Sequence, residues 1–320
     1  MPSMPLQSVS SLVDAARISL PKALVSDTSY QRLQALASLL PQAILVGLEC
    51  RLRTEDEPVD LWICPALEPD ALQQSVPWLR RQAWPEFAPL AGRLEKKSPP
   101  WPCQFGAWTT EFDLKNWDTQ SNCPPIPSSF VTFSTASPPL NIRETLAALW
   151  QGERAAAMPS EIEQQLRTIL EHCPKGELAG LGFLYPRIMQ PARLMLRVSQ
   201  LSDLRALLGD KLPIAQKLLD SITFQVAIGT PFDYRQEPRQ SLEAYLPGPE
   251  AWQELAKRLV AQGYSTAAKT EAMLDLALHP RSHGKVMVTL NHVKLALHAD
   301  GYREVKAYPS IFPISSMSFS

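Results

Sequence analysis

Five basic residues stand in short strand-like stretches with apolar residues on either side: Arg51 in LECRLR, Arg193 and Arg197 in ARLMLRV, Lys294 in HVKLALH and Lys306 in REVKAYP. In a strand, alternate residues point to opposite faces, so each stretch would turn its cation one way and its apolar neighbours the other. The same parity carries Glu49, Asp60, Trp62, Met195, Gln225, Glu243, Tyr245, His292 and Tyr308. Arginine and lysine hold a dianionic phosphate group well, while the faces of tryptophan and tyrosine attract a cation through the ring quadrupole. A ligand whose diphosphate head leaves behind a carbocation needs both environments in one water-poor chamber. An allylic diphosphate is such a ligand.

Other chemistries lack their residues. No D-D-x-x-D cluster is present to hold a diphosphate through magnesium; the nearest acidic run, Glu55, Asp56 and Glu57, falls at a predicted hairpin tip, where a solvated turn is expected. His279, His283, His292 and His298 bunch near the C-terminus. The first two lie in HPRSHGK, which reads as a loop, and without H-E-x-x-H or a paired carboxylate no metal site is expected. His292 and His298 share the inward parity of one strand and are read as hydrogen-bonded histidines ahead of a proton relay. There is no G-x-S-x-G elbow, and GLGF at 180–183 lacks the third glycine and the lysine of nucleotide-binding loops. Hydrolase, kinase and dehydrogenase chemistries are excluded on these grounds.

Composition narrows the setting. A net charge of -1 over 320 residues gives no footprint for nucleic acid and no polybasic patch for a membrane surface, so neither partner is expected. No stretch approaches the ~20 apolar residues of a membrane span, and MPSMPLQSVSSLVDAARISL has no basic start or cleavage site, which points to a cytoplasmic protein. Cys50, Cys64, Cys103, Cys123 and Cys173 are scattered without a C-x-x-C pair and are expected to be reduced thiols. Trp101, Trp108, Trp117, Trp150 and Trp252 read as packing residues in loops or helices.

The elements that must position the inward residues follow from periodicity. Helical spacing over 8–19 and 28–40 precedes a hairpin, in which Leu48, Cys50 and Leu52 alternate with polar residues and Val59, Leu61 and Ile63 do the same after an acidic turn. The order recurs. A helix at 69–82 precedes strands at 108–114 and 128–135; helices at 141–151 and 159–172 precede GLGFLYPR and ARLMLRVS. Helices at 201–208 and 212–220 precede TFQVAIG and SLEAYLP; helices at 249–262 and 265–278 precede HVKLALH and REVKAYP. Such repeats bury their apolar faces only by stacking, and ten antiparallel strands in series can close on themselves and remove exposed edges. A polar row would equally suit an open sheet wet on one face; the convergence of cations and rings from several hairpins favours a lumen. The second hairpin offers few cations or tyrosines.

In this order of elements the chain resembles the aromatic prenyltransferases of the ABBA (PT-barrel) type. The segments that carry the likeness are VGLECRLRTEDEPVDLWI, LGFLYPRIMQPARLMLRV and HVKLALHADGYREVKAYPSI. The resemblance implies an α+β fold: a ten-stranded antiparallel β-barrel of repeated helix-helix-strand-strand units, helices outside, formed by residues 1–320 as a single domain. It implies a prenyltransferase whose partners are an allylic isoprenoid diphosphate and an electron-rich aromatic acceptor, an indole, a phenol or a peptide side chain. By position, Arg51, Arg193, Arg197, Lys294 and Lys306 would bind the diphosphate, and Trp62, Tyr245 and Tyr308 would shield the prenyl cation. Glu49 and Asp60 would be the catalytic acids. The sequence requires no cofactor, with magnesium the one ion it leaves room for. The alternative is a non-catalytic accessory protein that holds a peptide or an amphipathic metabolite in the barrel.

Overall fold

The computed structural model describes residues 7–55, 57–66, 105–133, 147, 157–172, 177–184, 192–198, 205–209, 212–219, 225–232, 240–298 and 301–314. The helices expected at 69–82 and 141–151 lie outside this set, residue 147 excepted, as do Cys103, Cys173, Trp101 and Trp150.

Described helices are α1 (Val9–Ala16), α2 (Asp27–Ala37), α3 (Ser160–His172), α4 (Arg205–Leu208), α5 (Leu212–Leu219), α6 (Pro249–Ala261) and α7 (Ala267–Leu278). Their starts are written in side chains. The hydroxyls of Ser8, Ser26 and Thr266 accept from the backbone N–H three residues on, and Pro249 opens α6 with a fixed φ. The first and sixth helices turn apolar stripes into the core: Val9, Leu12, Val13 and Ala16 of α1, and Trp252, Leu255, Ala256 and Leu259 of α6, are buried.

Ten strands form five antiparallel hairpins: β3 (Leu45–Arg51) with β4 (Asp60–Ala66), β5 (Phe105–Phe112) with β6 (Ser128–Phe133), β7 (Glu177–Phe183) with β8 (Ala192–Val198), β9 (Gln225–Phe232) with β10 (Gln240–Tyr245), and β12 (Val286–His298) with β13 (Gly301–Pro313). Successive hairpins pair edge to edge, and β13 pairs with β3. The series closes because β10 also pairs with β12 over Gln240–Ala244. A ring of ten strands has no free edge. Two short strands, β1 (Gln7–Ser8) and β2 (Gln42–Ala43), pair separately.

Closure answers the choice between a lumen and a half-wet sheet. The apolar parity (Val46, Leu48, Cys50 and Leu52 of the first hairpin; Val293 and Leu295 of the last) is fully buried in one continuous core with the helices. The polar parity is also buried: Glu49 is 3% exposed, Asp60 2%, His292 6% and Lys294 8%. A sheet wet on one face would leave these side chains in solvent.

Several boundaries moved for local reasons. Strand β12 begins six residues before the expected HVKLALH, and a bulge between Leu290 and His292 explains the difference. The extra residue, Asn291, breaks the alternation where the strand pattern was read as starting. HPRSHGK is not a loop throughout: Arg281–His283 form β11, which folds back on Val286–Val288 across Gly284, whose φ of 56° suits glycine. Strand β7 starts at Glu177, three residues before GLGF.

Candidate active site

Inter-strand register stacks the inward residues in layers. In one layer Arg51 of β3 faces Lys306 of β13, Lys306 faces Lys294 of β12, and Lys294 faces Glu243 of β10. The same row continues through Ala227 of β9 to Arg197 of β8 and Glu177 of β7. Four of the five expected cations are therefore level with one another. Arg193 lies two inward positions along β8, buried, with its guanidinium 5.6 Å from the Phe130 ring.

Each lysine of this layer has a carboxylate. Lys306 Nζ donates to Glu49 and lies 3.2 Å from Glu304; Lys294 Nζ is 3.4 Å from Glu243. Burial alone would push Lys306 down, but Glu49 and Glu304 raise it. Lys294 stays lowered, because burial and the neighbouring Arg193 charge outweigh Glu243. Arg51 is more committed still: Nε donates to Glu304 at 2.7 Å, Nη1 to the Pro58 carbonyl at 2.7 Å and Nη2 to Asp60 at 2.7 Å. All three nitrogens that a diphosphate would need are already donating. Among the described residues, Arg193 and Arg197 form no ion pair.

The next layer, about 7 Å along the strands, carries acids and rings. Asp60 faces Glu49 across β3 and β4, and the Tyr308 hydroxyl donates to Glu49. Tyr308 faces His292 and stacks on it, centroids 4.2 Å apart at 18°; His292 in turn lies 4.8 Å from the half-exposed Tyr245 ring. Lys294 Nζ sits 5.7 Å from the Tyr308 centroid, so the cation layer touches the ring layer. His292 is not the hydrogen-bonded histidine expected. Both its ring nitrogens are buried without a partner among the described residues, and burial pushes its pKa down to about 4.

Trp62 completes the lining through a missing side chain. It faces Gly47 across β3 and β4, and a Cβ there would overlap the indole, so the ring lies flat against the wall. Gly182 admits the Phe130 ring beside Arg193 in the same way, and Gly180 admits the end of Met195.

One inward acid went unread in the sequence. Glu111 of β5 faces Trp62 and is hydrogen-bonded to Glu49. Burial pushes Glu111 up to about 7, and the Glu49 charge adds to it. Burial would raise Glu49 too, but Lys306, Lys294, the Glu111 hydrogen bond and Arg51 take it well below the usual carboxylate range. Below about pH 7 Glu111 is therefore the protonated partner and donates to Glu49. Asp60 is pushed up to about 8 by burial and Glu49, against the pull of Arg51, while its Oδ1 accepts from Leu114 N–H at 2.8 Å. Parity counting would have found Glu111, since Trp108, Thr110 and Phe112 set the outward face of β5.

The other expectations resolve individually. Trp108 is a packing residue, as expected, but on a strand: it is buried on β5, and its Nε1–H donates to Ser129 at 2.8 Å. His279 does have a carboxylate, Asp275 one turn earlier on α7, which also pairs with Arg281 and so ties the end of α7 to β11. The side chains of Gln225 and His298 lie outside the described residues. Among the described residues no group of three or more His, Cys, Asp or Glu side chains is placed to hold a metal ion, and no helix is long and apolar enough to cross a membrane.

No family model matches the sequence, and no curated protein matches it. Solved structures do match. A 6-dimethylallyl tryptophan synthase superposes with a TM-score of 0.56 at 15% identity, over 97% of this chain and 97% of the other. AnaPT from Neosartorya fischeri superposes with a TM-score of 0.52 at 13% identity, over 97% of this chain and 94% of the other. At such identities the likeness concerns the path of the backbone, and over nearly its whole length the chain has the ABBA-type prenyltransferase barrel fold.

Proposed function

We propose that the chain is a prenyltransferase that joins an allylic isoprenoid diphosphate to an electron-rich aromatic acceptor. The observation that carries this is the contact between two layers inside a closed barrel: cations Lys306 and Lys294 in register, with Tyr308 and His292 one step along the same strands and Tyr245 of β10 beside His292. The separation of about 7 Å suits a diphosphate in one layer and an allyl group in the other. A 6-dimethylallyl tryptophan synthase among the solved structures with this fold supports the reading.

In this proposal the allylic C–O bond breaks with both electrons leaving on the diphosphate. Lys294, Lys306, Arg193 and Arg197 take up its charge, because desolvated cations stabilise a leaving anion far more than water-exposed ones. Arg51 holds Asp60 and Glu304 in place and sets the posture of the row. The allyl cation rests against Tyr308, Tyr245 and Trp62, whose ring faces are electron-rich. The π-electrons of the acceptor ring then form the new C–C bond, and its ring proton passes to the Glu49–Glu111 pair, which holds one proton between two carboxyls and has room for a second. Asp60 is a positioning residue in this scheme, since both its oxygens are engaged by Arg51 and Leu114.

The test is incubation of the purified chain with dimethylallyl, geranyl and farnesyl diphosphates and a panel of indoles, phenols and aromatic peptides, following pyrophosphate release and acceptor mass. Acceptor-dependent release with a matching mass gain is expected. Binding of diphosphates with no release for any acceptor would leave a binding protein and refute the reaction.

A further inference from the structure

Every lysine of the cation layer is held by a carboxylate, and two of those carboxylates differ from the rest. Glu49 belongs to the proton-holding pair and Asp60, on Arg51, is fixed by a backbone N–H; Glu243 takes, besides Lys294, only a long 3.5 Å hydrogen bond from the Tyr245 hydroxyl, and Glu304 is shared between Lys306 and Arg51. Glu243 stands directly across from Lys294 in the β10–β12 pairing, 3.4 Å from its Nζ, with a side chain 13% exposed. It is held ionised against burial by Lys294 and Arg193. Glu304, two residues from Lys306 on β13, bridges Lys306 at 3.2 Å and Arg51 at 2.7 Å and is 32% exposed.

We propose that Glu243 and Glu304 are internal surrogates for the diphosphate: they hold the lysines of the barrel in place and must give them up when an allylic diphosphate enters. The inference rests on the proposed function and adds to it a determinant of substrate affinity. Two neighbouring desolvated cations such as Lys294 and Arg193 need an anion, since an uncompensated buried charge is strongly unfavourable. Glu243 supplies one negative charge to both, and a diphosphate supplies more. Binding thus exchanges a carboxylate for a phosphate on the same Nζ, and the carboxylate left behind repels the incoming anion at close range. The lysines stay preorganised at a cost in diphosphate affinity, which falls on any anion of this kind and weakens retention of the released pyrophosphate.

The experiment is calorimetric titration of inorganic pyrophosphate into the wild-type chain, Glu304→Gln, Glu243→Gln and, as a charge control, Glu161→Gln on the exposed first turn of α3. Glu304→Gln removes a partly exposed charge and is the variant certain to test the idea if Glu243→Gln unfolds. Both lumen variants are expected to bind pyrophosphate roughly tenfold more tightly than wild type, and Glu161→Gln equally to wild type. Equal or weaker binding by Glu304→Gln overturns the inference while leaving the cation layer as a diphosphate site. Tightening by Glu161→Gln to the same extent also overturns it, because the effect would then be one of overall charge. No binding by any chain overturns the diphosphate site, and this inference with it.

Discussion

Replacing His292 by Phe should remove a pH dependence of stability that the buried imidazole imposes. The ring is sandwiched by Tyr308 and Tyr245, its two nitrogens have no partner among the described residues, and the charged groups that act on it are Glu243, Lys294 and Glu49. Burial pushes its pKa from 6.5 to about 4, Lys294 adding to the fall and the two glutamates opposing it. Because the folded value is depressed, the unfolded chain binds a proton that the folded chain refuses between these limits. Stability from this group is complete above about pH 6.5 and is lost as pH falls toward 4. Linkage with those two values gives a loss of about 2 kcal/mol between pH 7.5 and pH 5. Phenylalanine keeps the stack and cannot titrate. Urea midpoints of both chains across this range should therefore converge as pH falls, the wild type losing about 2 kcal/mol relative to the variant. Parallel curves, within about 0.5 kcal/mol, would refute the neutral buried histidine and with it the dry ring layer.

Glu111 should behave with the opposite sign: its folded pKa is raised to about 7, so the wild type loses stability as pH rises from the ordinary carboxylate value through 7, and Glu111→Gln should lack that loss in the same urea series. If prenyl transfer is found, the same variant should also lose the titration near pH 7 from its pH profile for kcat/KM. Lys306→Met and Arg197→Ala should each lower pyrophosphate release by about 100-fold or more, with circular dichroism unchanged; undiminished turnover in both would remove the cations from the mechanism. Gly182→Ala should displace the Phe130 ring and destabilise the chain by about 1–3 kcal/mol, read as a lower urea midpoint.

What the sequence showed of this fold was its alternation, which is local; what it hid was level, which is not. Counting by twos along single hairpins put Arg51, Lys294, Lys306, Glu49 and Tyr308 on one face, and the structure finds Glu49, Lys294 and Tyr308 buried and Arg51 and Lys306 half-buried on that face. Nothing within a hairpin says that Arg51 is opposite Lys306, since that register is set between strands some 250 residues apart, where β13 returns to β3. Bulges are equally silent. The extra Asn291 in β12 hides the first half of the longest hairpin, because a strand with one inserted residue no longer alternates across the insertion. Glu111 was missed for a different cause. The strands of its hairpin carry no lysine or tyrosine to mark them as a phosphate grip or a cation shield, although the parity of Glu111 is legible.

Ion pairing changes what the charged lumen means. A grip of free cations would carry a large uncompensated positive charge in a buried space, and such a state is too costly to persist. The structure instead distributes the cost: Arg51 is locked by Asp60 and Glu304, Lys306 by Glu49 and Glu304, Lys294 by Glu243, and the excess of acid around Glu49 is met by the raised affinity of Glu111 and Asp60 for a proton. A proton is the one counter-ion that can be handed on during chemistry, and a carboxylate is the one that a diphosphate can replace in kind. In the proposed reaction the same residues would supply both exchanges that an alkylation with loss of diphosphate and a ring proton requires.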